Sequence, residues 1–270
     1  MTAIITLLTD FGQRDSYVAE MKAVLLSAVP DAQIVDVTHE VPPGDITAAQ
    51  YLLARTWHRF PDGTVHLAVV DPGVGSARRA IAAASQEHRF VAPDNGLLTP
   101  MLTGARVVQL PVPATAALTF QGRDVFAPAA ARLAAGTAIE QLGASLRDPI
   151  LAPLPLARRD GTDLIGCVLY VDRFGNLVTN LEGKAAEWAG KAAKSVKKGA
   201  DKADKARQAV DCVVVVAGRA VSLRRTFADV RSGELVAFVG SGGMVELALR
   251  DGSAAAKLRV TAGAEVRLRT

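Results

Sequence analysis

The sequence predicts an α/β protein: a large N-terminal domain with a mainly parallel sheet flanked by helices, then a small C-terminal domain built as an antiparallel β-sheet or barrel. Three observations carry this. The first half of the chain alternates apolar runs with segments whose apolar residues recur at helical spacing. A proline-rich stretch with few periodic positions follows. Beyond it come short strand-like runs separated by turn residues.

In chain order, residues 3–8 read as a strand and 16–28 as a helix with one apolar face. Residues 34–37 are a strand, 46–57 a helix, and 65–70 a continuous apolar strand of the kind buried on both sides. Strands at 81–84, 89–92 and 107–110 and a helix at 128–135 complete an N-terminal α/β domain over 1–147. Residues 148–163, with Pro149, Pro153 and Pro155, read as the linker. The C-terminal β domain, 164–270, has strands at 164–172, 212–216, 220–223, 235–239, 245–248 and 266–268. An Ala/Lys-rich helical insertion at 182–210 interrupts it.

Composition narrows the classes. With 270 residues, 50% hydrophobic and 21% charged, the chain has apolar material for more than one core. No apolar run reaches the roughly 20 residues of a membrane span, so no membrane partner is expected. The opening Met1-Thr2-Ala3-Ile4-Ile5 has no basic leader and soon meets Asp10, which predicts a cytoplasmic protein. Cys167 and Cys212 sit in valine-rich runs without a partner at metal-ligand spacing and read as buried structural thiols. The net charge of +4 is local: from Lys184 to Arg207 eight basic residues face three acidic ones, a surplus of +5. Such a run is a solvated helix face, and without an aromatic or glycine-rich recognition module it predicts no nucleic-acid partner.

In an open α/β sheet, ligands bind at the carboxyl ends of strands. Asp10 ends the first strand in Thr9-Asp10-Phe11-Gly12, and Asp71 ends another in Asp71-Pro72-Gly73-Val74-Gly75, with Arg78 close behind. Thr119-Phe120-Gln121-Gly122-Arg123-Asp124 is a polar cluster before a helix, where Asp124 also suits a cap. The C-terminal half offers Asp172-Arg173-Phe174-Gly175-Asn176 at a strand end and the loop Gly240-Ser241-Gly242-Gly243, whose amides suit an anion.

In this order the motifs resemble those of the S-adenosyl-L-methionine hydroxide adenosyltransferases, relatives of fluorinase and chlorinase, over nearly the whole chain outside the insertion. The resemblance implies cleavage of S-adenosylmethionine at ribose C5′ by water, giving adenosine and methionine. It implies that Asp10 holds the ribose hydroxyls, Asn176 the adenine edge, and Phe174 and Phe227 the faces of the base, with main-chain contacts near Leu249. Asp15 and Asp172 would meet the methionine ammonium and Ser241 the carboxylate, and Phe120 would join the substrate contacts. Asp71, Arg78 and Gln121 would surround the water. Asp71 accepts a hydrogen bond or the proton, and Arg78 offsets developing negative charge. An acidic residue at position 71 also argues for water over a halide.

One position departs from the family. Hydroxide-type members carry a histidine where this chain has Gln121. Glutamine orients water through its amide but takes up no proton at neutral pH. If the histidine acts as a base, its loss slows the reaction on the order of 100- to 10,000-fold. If it only holds the water, the loss is small. Two other readings stay open: a protein that binds S-adenosylmethionine or adenosine without turnover, and a halide-dependent adenosyl transferase. The resemblance further implies a homotrimer with sites at subunit interfaces. It implies no cofactor and no metal, S-adenosylmethionine being the substrate.

Overall fold

The computed structural model describes residues 2–184 and 212–269. The expected insertion helix falls outside them except for residues 182–184, of which Glu182 ends a strand. Two compact units, Met1–Leu154 and Pro155–Thr270, each carry a sheet and a core.

The first unit holds strands β1 (Ile4–Thr9), β2 (Gln33–Thr38), β3 (Val65–Val69), β4 (Ala80–Ser85), β5 (His88–Pro93), β6 (Arg106–Leu110) and β7 (Ala144–Ser145). Their order across the sheet is β2-β1-β3-β5-β4-β6-β7. The first four are parallel neighbours, whereas β4 runs antiparallel to β5 and β6, and β7 to β6. The expected mainly parallel sheet is therefore mixed. Connection length is the reason: Ser85 pairs with His88, so only Gln86 and Glu87 join β4 to β5, Gln86 at a φ of 51°. Two residues close a hairpin, but a parallel crossover needs about a dozen.

Helices α1 (Tyr17–Ala28), α2 (Ile46–Thr56) and α3 (Ala127–Ala134) accompany this sheet. The Asp45 carboxylate caps α2 by accepting from the Ala48 N–H at 2.9 Å. Met21 and Leu25 of α1 join Ile5, Leu7, Leu67 and Phe126 in the core. Every residue of β3 is buried, and all but His66 are apolar. Thr9 pairs with Val69 in parallel register, so Asp10 and the Val70-Asp71 segment leave the sheet at one edge.

At the opposite end of these strands lies a buried histidine pair. His66 Nδ1 bonds Thr6 Oγ1 at 2.8 Å, its Nε2 meets His88 Nδ1 at 3.0 Å, and its ring stacks on Phe90. Burial, reinforced by the neighbouring His88, pushes the His66 imidazole down to about 3. The unfolded chain takes up that proton near its ordinary value of 6.5, so neutral His66 contributes stability that is lost as pH falls from 6.5 towards 3. Urea unfolding of the wild type and His66→Gln is expected to show their stability difference narrowing by about 2 kcal/mol between pH 7.5 and pH 5. A difference that stays constant contradicts this account.

The second unit contains β8 (Arg158–Asp160), β9 (Asp163–Val171), β10 (Leu177–Glu182), β11 (Val213–Val216), β12 (Arg219–Ser222), β13 (Leu235–Val239), β14 (Met244–Leu249) and β15 (Glu265–Arg269). They follow the order β12-β11-β15-β9-β10-β14-β13, with β8 on β9, and every pair is antiparallel. A bridge from Leu223 to Ala237 brings the two ends of the sheet together and nearly closes it. The short helix α4 (Ala254–Leu258) is capped by Ser253 Oγ, which accepts from the Ala256 N–H at 3.1 Å. No helix among the described residues is long and apolar enough to cross a membrane.

Candidate active site

Three polar side chains meet at the carboxyl edge of the first sheet. Arg78 donates from Nε to Asp71 Oδ1 at 2.9 Å and from Nη2 to Asp71 Oδ2, a bidentate pair. The same Nη2 donates to Gln121 Oε1 at 2.6 Å. The side chains of Asp71 and Arg78 are only 5% and 8% exposed, and the guanidinium lies 5.0 Å over the Phe126 ring. A guanidinium can only donate, so it fixes the glutamine amide: Oε1 turns to Arg78, and Nε2 has no hydrogen-bond partner among the described residues.

Local structure explains the meeting. The Asp71 loop is a run of tight turns, closed by Val74 N–H to Asp71 O at 3.2 Å and Ser76 N–H to Gly73 O at 3.1 Å. Gly75 has a φ of 78°, and a Cβ there would lie 3.1 Å from the Leu118 carbonyl oxygen. Glycine thus lets this loop approach the segment that leads to Gln121. Gln121 enters a π-helical turn, Gly122–Phe126, that opens α3. Such wide turns re-aim side chains and recur at functional sites. Asp124 sits within that turn and accepts from the Ala117 N–H at 2.8 Å, tying down the preceding loop rather than capping the helix. Hydrogen bonds from Arg123, and then that amide, hold its carboxyl below the usual range.

Asp71 and Gln121 line a cavity of about 490 Å³ together with Asp10, Phe120, Phe11, Tyr17 and Glu20. Asp10 Oδ2 accepts from the Gly44 N–H at 2.8 Å. Phe120 meets Tyr17 and Phe11 edge to face at 5.1 and 6.1 Å. The Glu20 carboxyl is held low, first by a hydrogen bond from Ser16 and then by one from Arg123. Arg78 is not among the lining residues; it bonds Asp71 and Gln121 from behind the wall. Asp15 is exposed in the bend before α1 and does not line the cavity.

The second unit has its own recess of about 530 Å³, lined by Phe174, Asn176, Phe227, Leu249, Asp251 and Gly252. Phe174 is 74% exposed, and Phe227 packs 4.5 Å from Phe238. Asp172 is the staple of the turn: Oδ1 accepts from the Phe174 and Asn176 N–H groups, both at 2.9 Å, and Oδ2 from Asn176 Nδ2 at 2.8 Å. Asn176 Oδ1 is left as an acceptor with no partner among the described residues. Gly175 has a φ of 81°, and a Cβ there would fall 2.0 Å from Ser253 Oγ, so the turn requires glycine. The Leu249 carbonyl accepts from the Gly252 N–H at 3.2 Å. Ser241 lies in the exposed turn between β13 and β14 and does not line the recess.

Phe11, Tyr17 and Glu20 also line the cavity of the first unit, though no sequence motif marks them as site residues. Their signal was adjacency: Phe11 follows Asp10, while Tyr17 and Glu20 stand three apart on α1 and share a face. No group of three or more His, Cys, Asp or Glu side chains suited to a metal ion occurs among the described residues.

Residues 5–143 match the S-adenosylmethionine hydroxide adenosyltransferase N-terminal domain, and residues 166–267 match the C-terminal domain of the same family. The chain is 42% identical to an (R)-S-adenosyl-L-methionine hydrolase of Thermus thermophilus, covering 97% of both chains. A hydrolase of the same name from Salinispora arenicola is 37% identical over 99% of this chain and 98% of its own. A fluorinase of Nocardia brasiliensis is 29% identical over 98% of this chain and 96% of its own. Among solved structures, an uncharacterized conserved protein from Thermotoga maritima matches with a TM-score of 0.85 at 33% identity, covering 98% of this chain and 100% of that one.

Proposed function

The chain belongs to the S-adenosylmethionine hydroxide adenosyltransferase family, and on that premise we propose that it is the enzyme that hydrolyses S-adenosyl-L-methionine to adenosine and L-methionine. Water oxygen forms a bond to ribose C5′, the C5′–S bond breaks, the electron pair goes to sulfur, and one proton is released. The leaving group is a neutral thioether, so the step needs no acid. It needs a water held in line.

The observation that carries the reading is the single bonded unit of Asp71, Arg78 and Gln121 at the cavity wall. Gln121 Nε2 donates to the water oxygen, Asp71 accepts one of its hydrogens, and the remaining lone pair faces C5′. Arg78 acts through both partners and restrains each to one orientation. A carboxylate at this wall repels a halide, which favours water as the nucleophile. Gln121 takes no proton, so turnover is slower than with a histidine there if that histidine acts as a base, and little changed if it only holds the water.

Asp10 binds the ribose hydroxyls, supported by its place in the cavity with Asp71, and Phe120 packs against the substrate there. Asn176 offers its free oxygen to the adenine amino group, between Phe174 and Phe227, with the Leu249 main chain alongside. Asp15 and Asp172 serve the methionine ammonium and Ser241 its carboxylate. Asp172 also shapes the turn that presents Asn176. No cofactor or metal takes part. The enzyme works as a cytoplasmic homotrimer with its sites at subunit interfaces.

Incubation with S-adenosylmethionine in ¹⁸O-labelled water tests this. Equimolar adenosine and methionine, with the label in the adenosine 5′-hydroxyl, is the expected result. Bound substrate with no adenosine after long incubation would instead identify a binding protein, and 5′-halo-5′-deoxyadenosine on adding halide would identify a halide transferase.

A further inference from the structure

The loop that carries Asp71 and Arg78 crosses the end of a strand to which it does not belong. Strand β5 lies between β3 and β4 in the sheet, so residues 70–79, which join β3 to β4, span the strand from which Asp94 and Asn95 emerge. Both ends of the loop are fastened there. Asn95 Nδ2 donates at 2.9 Å to the carbonyl of Val70, the residue before Asp71. Asp94 Oδ2 accepts at 2.7 Å from Nε of Arg79, the residue after Arg78, and the Asp94 N–H donates to the Arg79 carbonyl at 2.9 Å.

Neither fastening is a loose surface contact. The Asp94 side chain is fully buried, and its other oxygen accepts from the Ile150 N–H at 2.8 Å. Arg79 extends the tie to the carbonyl and Oδ1 of Asp148, at 2.7 and 3.0 Å. Asn95 Oδ1 accepts from the Leu97 N–H at 3.2 Å, which sets the amide so that its nitrogen faces Val70. The two neighbouring arginines thus divide their work: Arg78 turns to Asp71 and Gln121, and Arg79 to the buried carboxylate. That carboxylate has no role in the reaction as described, and a buried charge persists in a core only with such partners.

We infer that Asp94 and Asn95 are positioning residues that pin the two ends of the 70–79 loop and thereby hold Asp71 and Arg78 in register with Gln121. The kinetic consequence rests on the proposed hydrolysis, and the structural consequence does not. In Asn95→Ala the Val70 carbonyl loses its donor. In Asp94→Asn an N–H of the new amide faces the donor-only Arg79, while the bond to Ile150 can persist.

Two measurements on the full chain decide the matter. The first is kcat and KM for S-adenosylmethionine. The second is hydrogen exchange of the Arg78 Nε–H, followed by NMR with ¹⁵N-arginine and assigned by its loss in Arg78→Lys. Both variants are expected to lose about 10- to 100-fold in kcat with KM within about threefold, because small displacements at a reacting centre are that damaging. The Arg78 Nε–H should exchange at least about tenfold faster in both, as its bond to Asp71 opens. Exchange as slow as in the wild type in folded Asn95→Ala overturns the inference, as does a kcat within about twofold of the wild type. Should Asp94→Asn fail to fold, Asn95→Ala decides alone. Should the wild type release no adenosine, the hydrolysis reading falls, and the exchange comparison still decides this one.

Discussion

Asp71→Asn is expected to lower kcat for adenosine release by about 10²- to 10⁴-fold, the range for removing a group that accepts a proton or a critical hydrogen bond from the nucleophile. The substitution keeps the shape and removes the charge. It also places an N–H donor against Arg78, whose guanidinium is 8% exposed and can only donate. Breaking a buried pair leaves a charge uncompensated at a cost of about 3–5 kcal/mol. Here the lower end applies, because Arg78 keeps the Gln121 amide and the Arg79 carbonyl as acceptors. Steady-state release of adenosine and urea unfolding of the same preparation separate the two effects. A folded variant retaining more than about a tenth of the wild-type rate removes Asp71 from its role as the acceptor facing water.

Gln121→His is expected to act in the opposite direction, raising kcat by up to about 10²- to 10⁴-fold if an imidazole at this place serves as a base. It should also add a signature that the wild type lacks. Gln121 does not titrate, whereas an imidazole does so near ~6.5, and the Arg78 cation 2.6 Å from the present amide oxygen displaces it downwards. The variant's kcat should therefore rise with pH through a limb below about 6.5, where the wild-type profile has no such imidazole limb. A faster variant without that limb would show that the side chain only holds the water. An unchanged rate and profile would mean that position 121 does not limit turnover.

How much of this was legible without coordinates differs by residue. Buried strands such as β3 announced themselves, because a strand covered on both sides selects apolar residues at nearly every position, His66 being the exception in β3. Asp10 and Asp71 were found by the rule that sites gather at strand carboxyl ends, and parallel pairing of Thr9 with Val69 brings them to one edge. The same rule, applied to Pro93-Asp94-Asn95-Gly96, would have drawn attention to the two residues that fasten the Asp71 loop. Strand β10 was not expected, because the polar Thr179 and Asn180 interrupt its apolar run. Both are buried, satisfied by the Val245 and Pro155 carbonyls and, for Asn180, by the Cys167 amide as well. The mixed character of the first sheet escaped because Gln86-Glu87 lacks the glycine or asparagine that usually marks a two-residue turn.

The sequence by itself determined the class of the protein: two α/β and β units, ordered motifs, and the side chains at strand ends that chemistry would select. These follow from local rules of periodicity, turn residues and charge, which act within a few positions of one another. Only the tertiary structure decided that Arg78 stands behind the cavity wall, bonding Asp71 and Gln121 across separations of 7 and 43 residues. It alone decided that the Asp172 carboxylate also holds its own turn, and that Asn176 Oδ1 keeps no partner among the described residues. Hydrogen-bond partners are set by where folding brings atoms to within about 3 Å, and no spacing along the chain encodes that distance.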